Sequence, residues 1–320
     1  MSSPRRVSWS TVLRVAGSVA GVGLLVYLLA SQDWEQIRQL FAKIGWGRLL
    51  LALGLTVCSR LVVAGRWHVL LRGADASVRV RDSLEITFAG LFASNFLPTT
   101  IGGDIVRLAG AFQLEIDKAV STASLIVDRL VGMAGMALVF PIGLAAGIRE
   151  LTALFALGAG AGVGVLGTAG GDHPSWVKRA VRKVRSAGIR VLRALGIWIR
   201  RPRSLLASLG FTLLHMLFLF TSIAILLTAM GESIAFLTIA GLWSVVYFIT
   251  LFPVSINGLG LQEVALTAVY TQVGGISTQA ALVLAVCLRV LAMLASLPGA
   301  FFIGRVLPRT GEARQASESE

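Results

Sequence analysis

Apolar runs about as long as a bilayer is thick recur along this chain, and they make lipid the solvent for most of its surface. They occupy residues 12–30, 46–65, 120–141, 151–168, 205–229 and 279–303. A helix needs about 20 residues to cross the hydrocarbon. Only 14% of residues are charged and 56% are hydrophobic, whereas soluble domains carry about a quarter charged residues. The expected fold class is all-α: one polytopic integral membrane domain with small loops and no folded soluble module.

The formal net charge of +13 could suggest nucleic acid, but its distribution points elsewhere. Between Asp172 and Ser204 stand ten Lys or Arg and one acidic residue. In a membrane protein that imbalance marks a cytoplasmic loop and attraction to anionic headgroups. No nucleic-acid partner is expected. Within the loop, Val177, Val181, Val184, Gly188, Leu192, Leu195 and Ile199 form a helical stripe amid basic residues, bracketed by Trp176 and Trp198. That pattern reads as an amphipathic helix on the leaflet surface. It either gathers anionic lipid or anchors the join between two halves.

Residues 1–11 form a cytoplasmic N-terminus, and Arg5, Arg6 and Arg14 stand at the start of the first run. That run is of full span length without a clear small-x-small cleavage site, so it reads as a retained span rather than a signal peptide. The loop at 66–83 carries Arg66, Arg72, Arg79 and Arg81 and also reads as cytoplasmic. An even number of crossings must separate it from 172–204, and the spans at 120–141 and 151–168 supply two. Residues 84–113 must then enter and return on one side. In the second half, 205–229 goes out, 279–303 comes back, and 236–275 forms a hairpin from outside. Six full spans and two broken-helix, re-entrant hairpins result, with both termini cytoplasmic and residues 306–320 a polar tail.

The hairpin tips, FLPTTIGGDIVR and FPVSINGLGLQE, fall into register on a shift of 155 residues. Pro98 then meets Pro253, Thr100 meets Ser255, Ile101 meets Ile256 and Gly103 meets Gly258. The same shift lays 46–65 on 201–220 and 120–141 on 275–296. With opposite orientations, repeat A (about 46–141) and repeat B (about 205–303) form an inverted repeat, whose broken helices meet near the midplane to make a substrate site. Irregular backbone at that depth is tolerated only where protein or a water-filled cavity satisfies it. A Pro-x-x-x-Gly-Gly turn leaves amides free at the start of the next helix, and those amides with the helix dipole favour an anion. Arg107, about one turn beyond Gly103, can grip a phosphate bidentately. Ordinary spans kinked by Pro and Gly are the plainer alternative.

These stretches resemble the flippase-like transmembrane domain of the lysylphosphatidylglycerol synthases, which also occurs as a free-standing membrane protein. The matching residues are Asn95, Leu97, Pro98, Gly102, Gly103, Asp104 and Arg107, and then Pro253, Ser255, Gly258, Gly260 and Glu263. The resemblance covers residues 12–305. It implies movement between leaflets of a lipid that is anionic or carries a modified headgroup. Gln262 stands where the family often has Arg, which weakens the case for a phosphate contact from the second half. No aminoacyl-transferring domain follows the last span, so lysyl transfer by this chain alone is not expected.

Asp128 and Arg129 inside a span are costly unless they pair or face a polar cavity. They read either as lining for the substrate path or as a structural contact between helices. Glu85, His215 and Arg289 are further ionisable residues within apolar segments, and Glu263 either serves the site or caps its helix. His215 reads as an interhelical hydrogen-bonding group. Cys58 and Cys287 read as buried, inert thiols. No P-loop, nucleophile elbow, Asp-x-Asp pair or metal-ligand spacing occurs, and neither a cofactor nor a metal is expected.

The function expected is transbilayer movement of a phosphate-bearing lipid, phospholipid or polyprenyl-linked, in the inner (plasma) membrane. Pro98, Gly102 and Gly103 would form the inner tip, lined by Asn95, Asp104 and Arg107, with Asp128 and Arg129 beside the path. Pro253, Asn257, Gly258 and Glu263 would form the outer counterpart. The partners expected are membrane lipids, and a lipid- or polyprenyl-modifying enzyme. The alternatives are a membrane transferase with Asp104 or Glu263 as base, and a non-catalytic partner of a lipid-modifying enzyme.

Overall fold

The computed structural model describes residues 33–96, 102–146, 196–251 and 258–306, with a few helical positions between 23 and 30. Those segments form helices α1 (Trp34–Gly73), α2 (Val80–Phe96), α3 (Gly102–Gln113), α4 (Lys118–Ala146), α5 (Pro202–Met230), α6 (Phe236–Thr250), α7 (Leu261–Gln272), α8 (Thr278–Ser296) and α9 (Gly299–Val306). No strand occurs among the described residues. Four helices, α1, α4, α5 and α8, are long and apolar enough to cross a membrane. They match four of the six expected spans. The expected span at 151–168 and nearly all of that at 12–30 lie outside the described residues, as do the basic stripe from Val177 to Leu195 and its flanking Trp176.

Local chemistry sets the helix ends. Asp33 caps α1 by accepting from the Glu35 amide, and Ser277 caps α8 by accepting from that of Ala280. Asp117 accepts from both Ala119 and Val120 at the start of α4. Such caps satisfy amides that the first helical turn leaves open. Pro202 opens α5, where its missing N–H costs nothing. Helix α1 bends at Gly45, whose φ of 70° is left-handed backbone that favours glycine. Its membrane-length portion therefore runs from Trp46 to Gly73.

That length corrects one expectation. Residues 66–73, read as part of a cytoplasmic loop, continue α1, and Arg66, Trp67, Leu70 and Leu71 are buried. The basic residues of the whole segment had been counted together, although only 74–79 form the connection.

Helices α1 and α5 pack antiparallel as the central pair. Gly65 lies against Phe211, and Gly73 lies against Ser204. At one end Arg201 donates to both Asp75 and the Gly73 carbonyl, while Trp198 donates to the Leu70 carbonyl at 2.9 Å. Trp198 is thus a buried core residue, not an interfacial bracket. The guanidinium of Arg201 also holds the exposed Asp75 carboxyl below the usual carboxylate range. Its contribution is complete at neutral pH and fades on acidification through that lowered value. At the opposite end, Glu232 accepts from the amide and hydroxyl of Ser277, joining the α5–α6 and α7–α8 connections.

Two helical hairpins pack around this pair. Gly103 of α3 lies against Gly90 and Ser94 of α2, and Gly110 lies against Ile86, so the two helices run antiparallel with residues 97–101 between them. In the second, Tyr270 of α7 donates to the Ile239 carbonyl of α6. The backbones of α4 and α6 meet where Gly143 faces Gly241. A Cβ on Gly143 would strike the Gly241 carbonyl, and backbone has no rotamer to yield. Gly143→Ala is therefore expected to cost about 2–3 kcal/mol by overpacking, read as thermal unfolding in detergent. An unchanged midpoint would show that this crossing is looser than the geometry indicates.

Candidate functional site

Three helices bring charge together inside the first half. Arg66 sits on α1, Asp104 and Arg107 on α3, and Asp128 and Arg129 on α4. Asp128 is 2% exposed and accepts from two guanidiniums. Arg66 Nε donates to its Oδ1 at 2.7 Å, and both terminal nitrogens of Arg107 donate to its Oδ2 at 3.2 Å. Arg66 also reaches Thr212 Oγ1 of α5 at 3.3 Å. Arg107 lies 4.5 Å above the Trp67 ring, a cation–π contact, and Trp67 in turn donates to Ser124 Oγ. Arg129 donates to Asp104, which stands 4.0 Å from Arg107.

Glycines make room for these long side chains. Gly90 lets the Arg107 stem cross α2, and Gly132 leaves space beside the Arg66 guanidinium. A Cβ on Gly103 would collide with Ser94 Oγ and the Gly90 carbonyl. Gly103 was expected chiefly as an open amide for an anion, but it also permits closure of the α2–α3 hairpin. Gly103→Ala should cost about 1–3 kcal/mol. Ser94→Gly should restore only part of this, since the carbonyl clash remains. A full rescue would assign the whole cost to the serine.

The arrangement is rich in donors and poor in acceptors. Each guanidinium offers several N–H groups and accepts nothing. Arg66 and Arg107 share one carboxylate, and Arg107 Nε is buried with no hydrogen-bond partner among the described residues. A buried charge of this kind is tolerated when paired and hydrogen-bonded. The site can therefore take an acceptor-rich anion, with Asp128 keeping the guanidiniums aligned before it arrives.

Of the residues singled out in the sequence, Asp104, Arg107, Asp128 and Arg129 form this cluster. Gly102 is buried at the start of α3 beside it. Asn95 goes elsewhere: its amide donates to Ser296 Oγ at 3.0 Å, tying α2 to α8. Glu263 and Gly258 form a second, smaller site. Arg289 of α8 donates from Nε to Glu263 Oε1 at 2.5 Å and faces the Gly258 carbonyl at 3.4 Å. Gly258 and Gly260 both have positive φ before α7, and Glu263 lies in its first turn. Pro98, Pro253 and Asn257 lie outside the described residues.

Neither Arg289 nor Glu85 stands alone as the sequence had it, since Glu85 pairs with Arg81 at 2.8 Å and with Arg305 at 3.7 Å. His215 bonds Ser59 Oγ of α1 through Nδ1 at 2.6 Å, the interhelical role expected of it. Cys287 is buried but Cys58 is exposed, correcting the reading of both as buried. Among the described residues no group of His, Cys, Asp or Glu could hold a metal.

Sequence reasoning missed Arg66, Trp67 and Thr212. The apolar pattern does carry a signal for the first two: Leu70 and Leu71 extend the buried stripe one turn past Trp67. Thr212 carries none.

Comparison with known families agrees with this architecture. No curated protein matches the chain significantly. Residues 12–299 match the model of one family, described as the lysylphosphatidylglycerol synthase TM region. A match over that extent, on an all-helical chain with four membrane-length helices among its described residues, identifies a membrane protein belonging to the lysylphosphatidylglycerol synthase TM region family.

Proposed function

We propose that this protein moves a phosphate-bearing lipid, phospholipid or polyprenyl-linked, between the leaflets of the inner (plasma) membrane. The observation that carries the reading is the buried cluster in which Arg66 and Arg107 share the single carboxylate of Asp128. Ionisable groups inside a membrane domain are costly and mark substrate paths. A phosphate supplies the acceptors that this cluster lacks, and guanidiniums bind phosphate in bidentate fashion. Carrying a charged headgroup through hydrocarbon is the slow step of unaided flipping, and a polar path lowers that cost.

The two halves would act as an inverted repeat with re-entrant hairpins, rocking against each other around the site. A matched pair of ion bridges supports this. Asp104 and Glu263 each lie in the first turn after a hairpin gap, and each pairs with an arginine on the following long helix. Twenty-five residues separate Asp104 from Arg129 and 26 separate Glu263 from Arg289. The extra charges are confined to the first half. Set in register on these two ion pairs, four to five residues on from the register of the hairpin tips, the second half has Leu266 at the place of Arg107 and Leu288 at that of Asp128. Headgroup binding would then belong to the first hairpin, which opens on the basic, cytoplasmic end. The basic loop would draw in anionic lipid, and a lipid- or polyprenyl-modifying enzyme would supply or consume it. Asp104 and Glu263, the bases that a transferase would need, are both engaged by guanidiniums, which favours transport over transfer.

The test is headgroup accessibility in proteoliposomes. Fluorescent phosphatidylglycerol is reconstituted with the protein, and outer-leaflet label is quenched by an impermeant reductant. Quenching well beyond half is expected. Quenching that stops at half for phosphatidylglycerol and a polyprenyl phosphate alike, with or without an ion gradient, would sink the proposal.

A further inference from the structure

Arg60 belongs to none of these contacts, and its position is the most demanding in the protein. It stands midway along the membrane-length portion of α1, Trp46–Gly73. Its neighbour Ser59 faces the middle of α5, where His215 stands midway between Pro202 and Met230. Ser59 and His215 join the two helices there at 2.6 Å. Among the described residues, the buried Nε of the partly buried Arg60 has no hydrogen-bond partner and no carboxylate pairs with its guanidinium. Arg66, Arg107, Arg129 and Arg289 all have one.

An arginine at the centre of a span is costly unless something compensates its charge. Near a helix end such a side chain can reach the headgroups, but from mid-span it cannot do so easily. Asp128, the buried carboxylate of this half, is already taken by Arg66 and Arg107. A partly buried cation at mid-span that no described carboxylate pairs with is explained if the anion is the ligand.

We propose that Arg60, with Ser59 and His215 beside it, forms a second phosphate station at the middle of the bilayer. It would receive the headgroup from the Arg66–Arg107 cluster and hold it at the point of highest cost. Six residues of helix separate Arg60 from Arg66, a step of about 9 Å at ~1.5 Å per residue. At about 100° per residue the two arginines lie roughly 120° apart around α1, so a headgroup handed from one to the other moves round the helix as well as along it. Arg60 releases its ligand more readily because no carboxylate holds its guanidinium in a fixed orientation. This inference rests on the lipid reading above but not on completed translocation.

A phosphatidylglycerol carrying a photoreactive diazirine on its headgroup tests it. The full chain in proteoliposomes is irradiated, and adducts are mapped to peptides alongside the quenching assay. Adducts are expected around residues 56–63 and 211–219 as well as on α3. Arg60→Gln should lower the mid-span adducts about tenfold or more while leaving those on α3, because a buried charge partner is lost. Arg60→Lys, which keeps the charge, should restore part of the yield, and both variants are checked by thermal unfolding. Absence of mid-span adducts in the unmodified protein would overturn the station. So would mid-span yields indifferent to Arg60→Gln. Mid-span adducts without quenching beyond half would instead defeat the flipping reading and leave the station standing.

Discussion

Asp128→Ala is expected to cost about 3–5 kcal/mol of stability, more than any other single change in the first half. The carboxylate is buried and each of its oxygens is used, Oδ1 by Arg66 and Oδ2 by Arg107. Removing it leaves two guanidiniums facing each other in a dry interior. Breaking a buried pair is costly because the remaining charge keeps its desolvation penalty and loses its compensation. Thermal unfolding in detergent, with the yield of folded protein from the membrane, measures the effect. Asp128→Asn should be nearly as damaging, since the amide keeps the volume but not the charge. Adding Arg66→Met to Asp128→Asn should recover part of the loss. A double variant no better than the single one would show that the loss does not come from leaving the Arg66 charge unpaired.

The second large effect is functional. Arg107→Ala should reduce transbilayer lipid movement at least 30-fold, from a loss of about 2 kcal/mol or more for a truncated buried charge contact. Its stability cost should be smaller than that of Asp128→Ala, about 1–2 kcal/mol, because Asp128 keeps its bond to Arg66. Part of that cost is the lost contact with Trp67. The separation of the two variants is the informative result: one loses fold and function together, the other mainly function. Arg107→Lys should not restore full activity, because an ammonium cannot reproduce the planar fork that meets both phosphate and carboxylate. If Arg107→Ala moved lipid at the normal rate in a folded protein, this arginine would be a structural residue. The path would then have to avoid the α2–α3 hairpin.

Much of this molecule could be read before any coordinates. Lipid as solvent follows from the apolar runs, whereas the caps at Asp33, Asp117, Pro202 and Ser277, though local in their chemistry, were recognised only in the structure. Proline and glycine visibly interrupt the apolar segments near residues 97–101 and 252–257. Asp104, Arg107, Asp128 and Arg129 stood out one by one, since each is a charge where charge is costly.

Their pairing was not legible. Arg66 looked like a loop residue because its basic neighbours continue into a true connection, and nothing local says that α1 runs on to Gly73. Asn95 looked like lining for the first hairpin, yet it bonds to Ser296, some 200 residues away in the chain. Ion pairs and close glycine crossings depend on which helix faces come together, a property of packing between distant segments.

The sequence by itself thus determined that the chain lives in a membrane, that it is helical, and where proline and glycine interrupt its apolar segments, because each of these is set by solvent preference or by backbone chemistry within one turn. Only the tertiary structure decided that Asp128 would be shared by Arg66 and Arg107, that Asp104 and Glu263 would each take an arginine from the next long helix, and that Arg60 would be left at mid-span with no described carboxylate. Charge compensation inside a membrane is settled between helices, since the hydrocarbon offers no partner and the nearest residues in sequence point away around the helix.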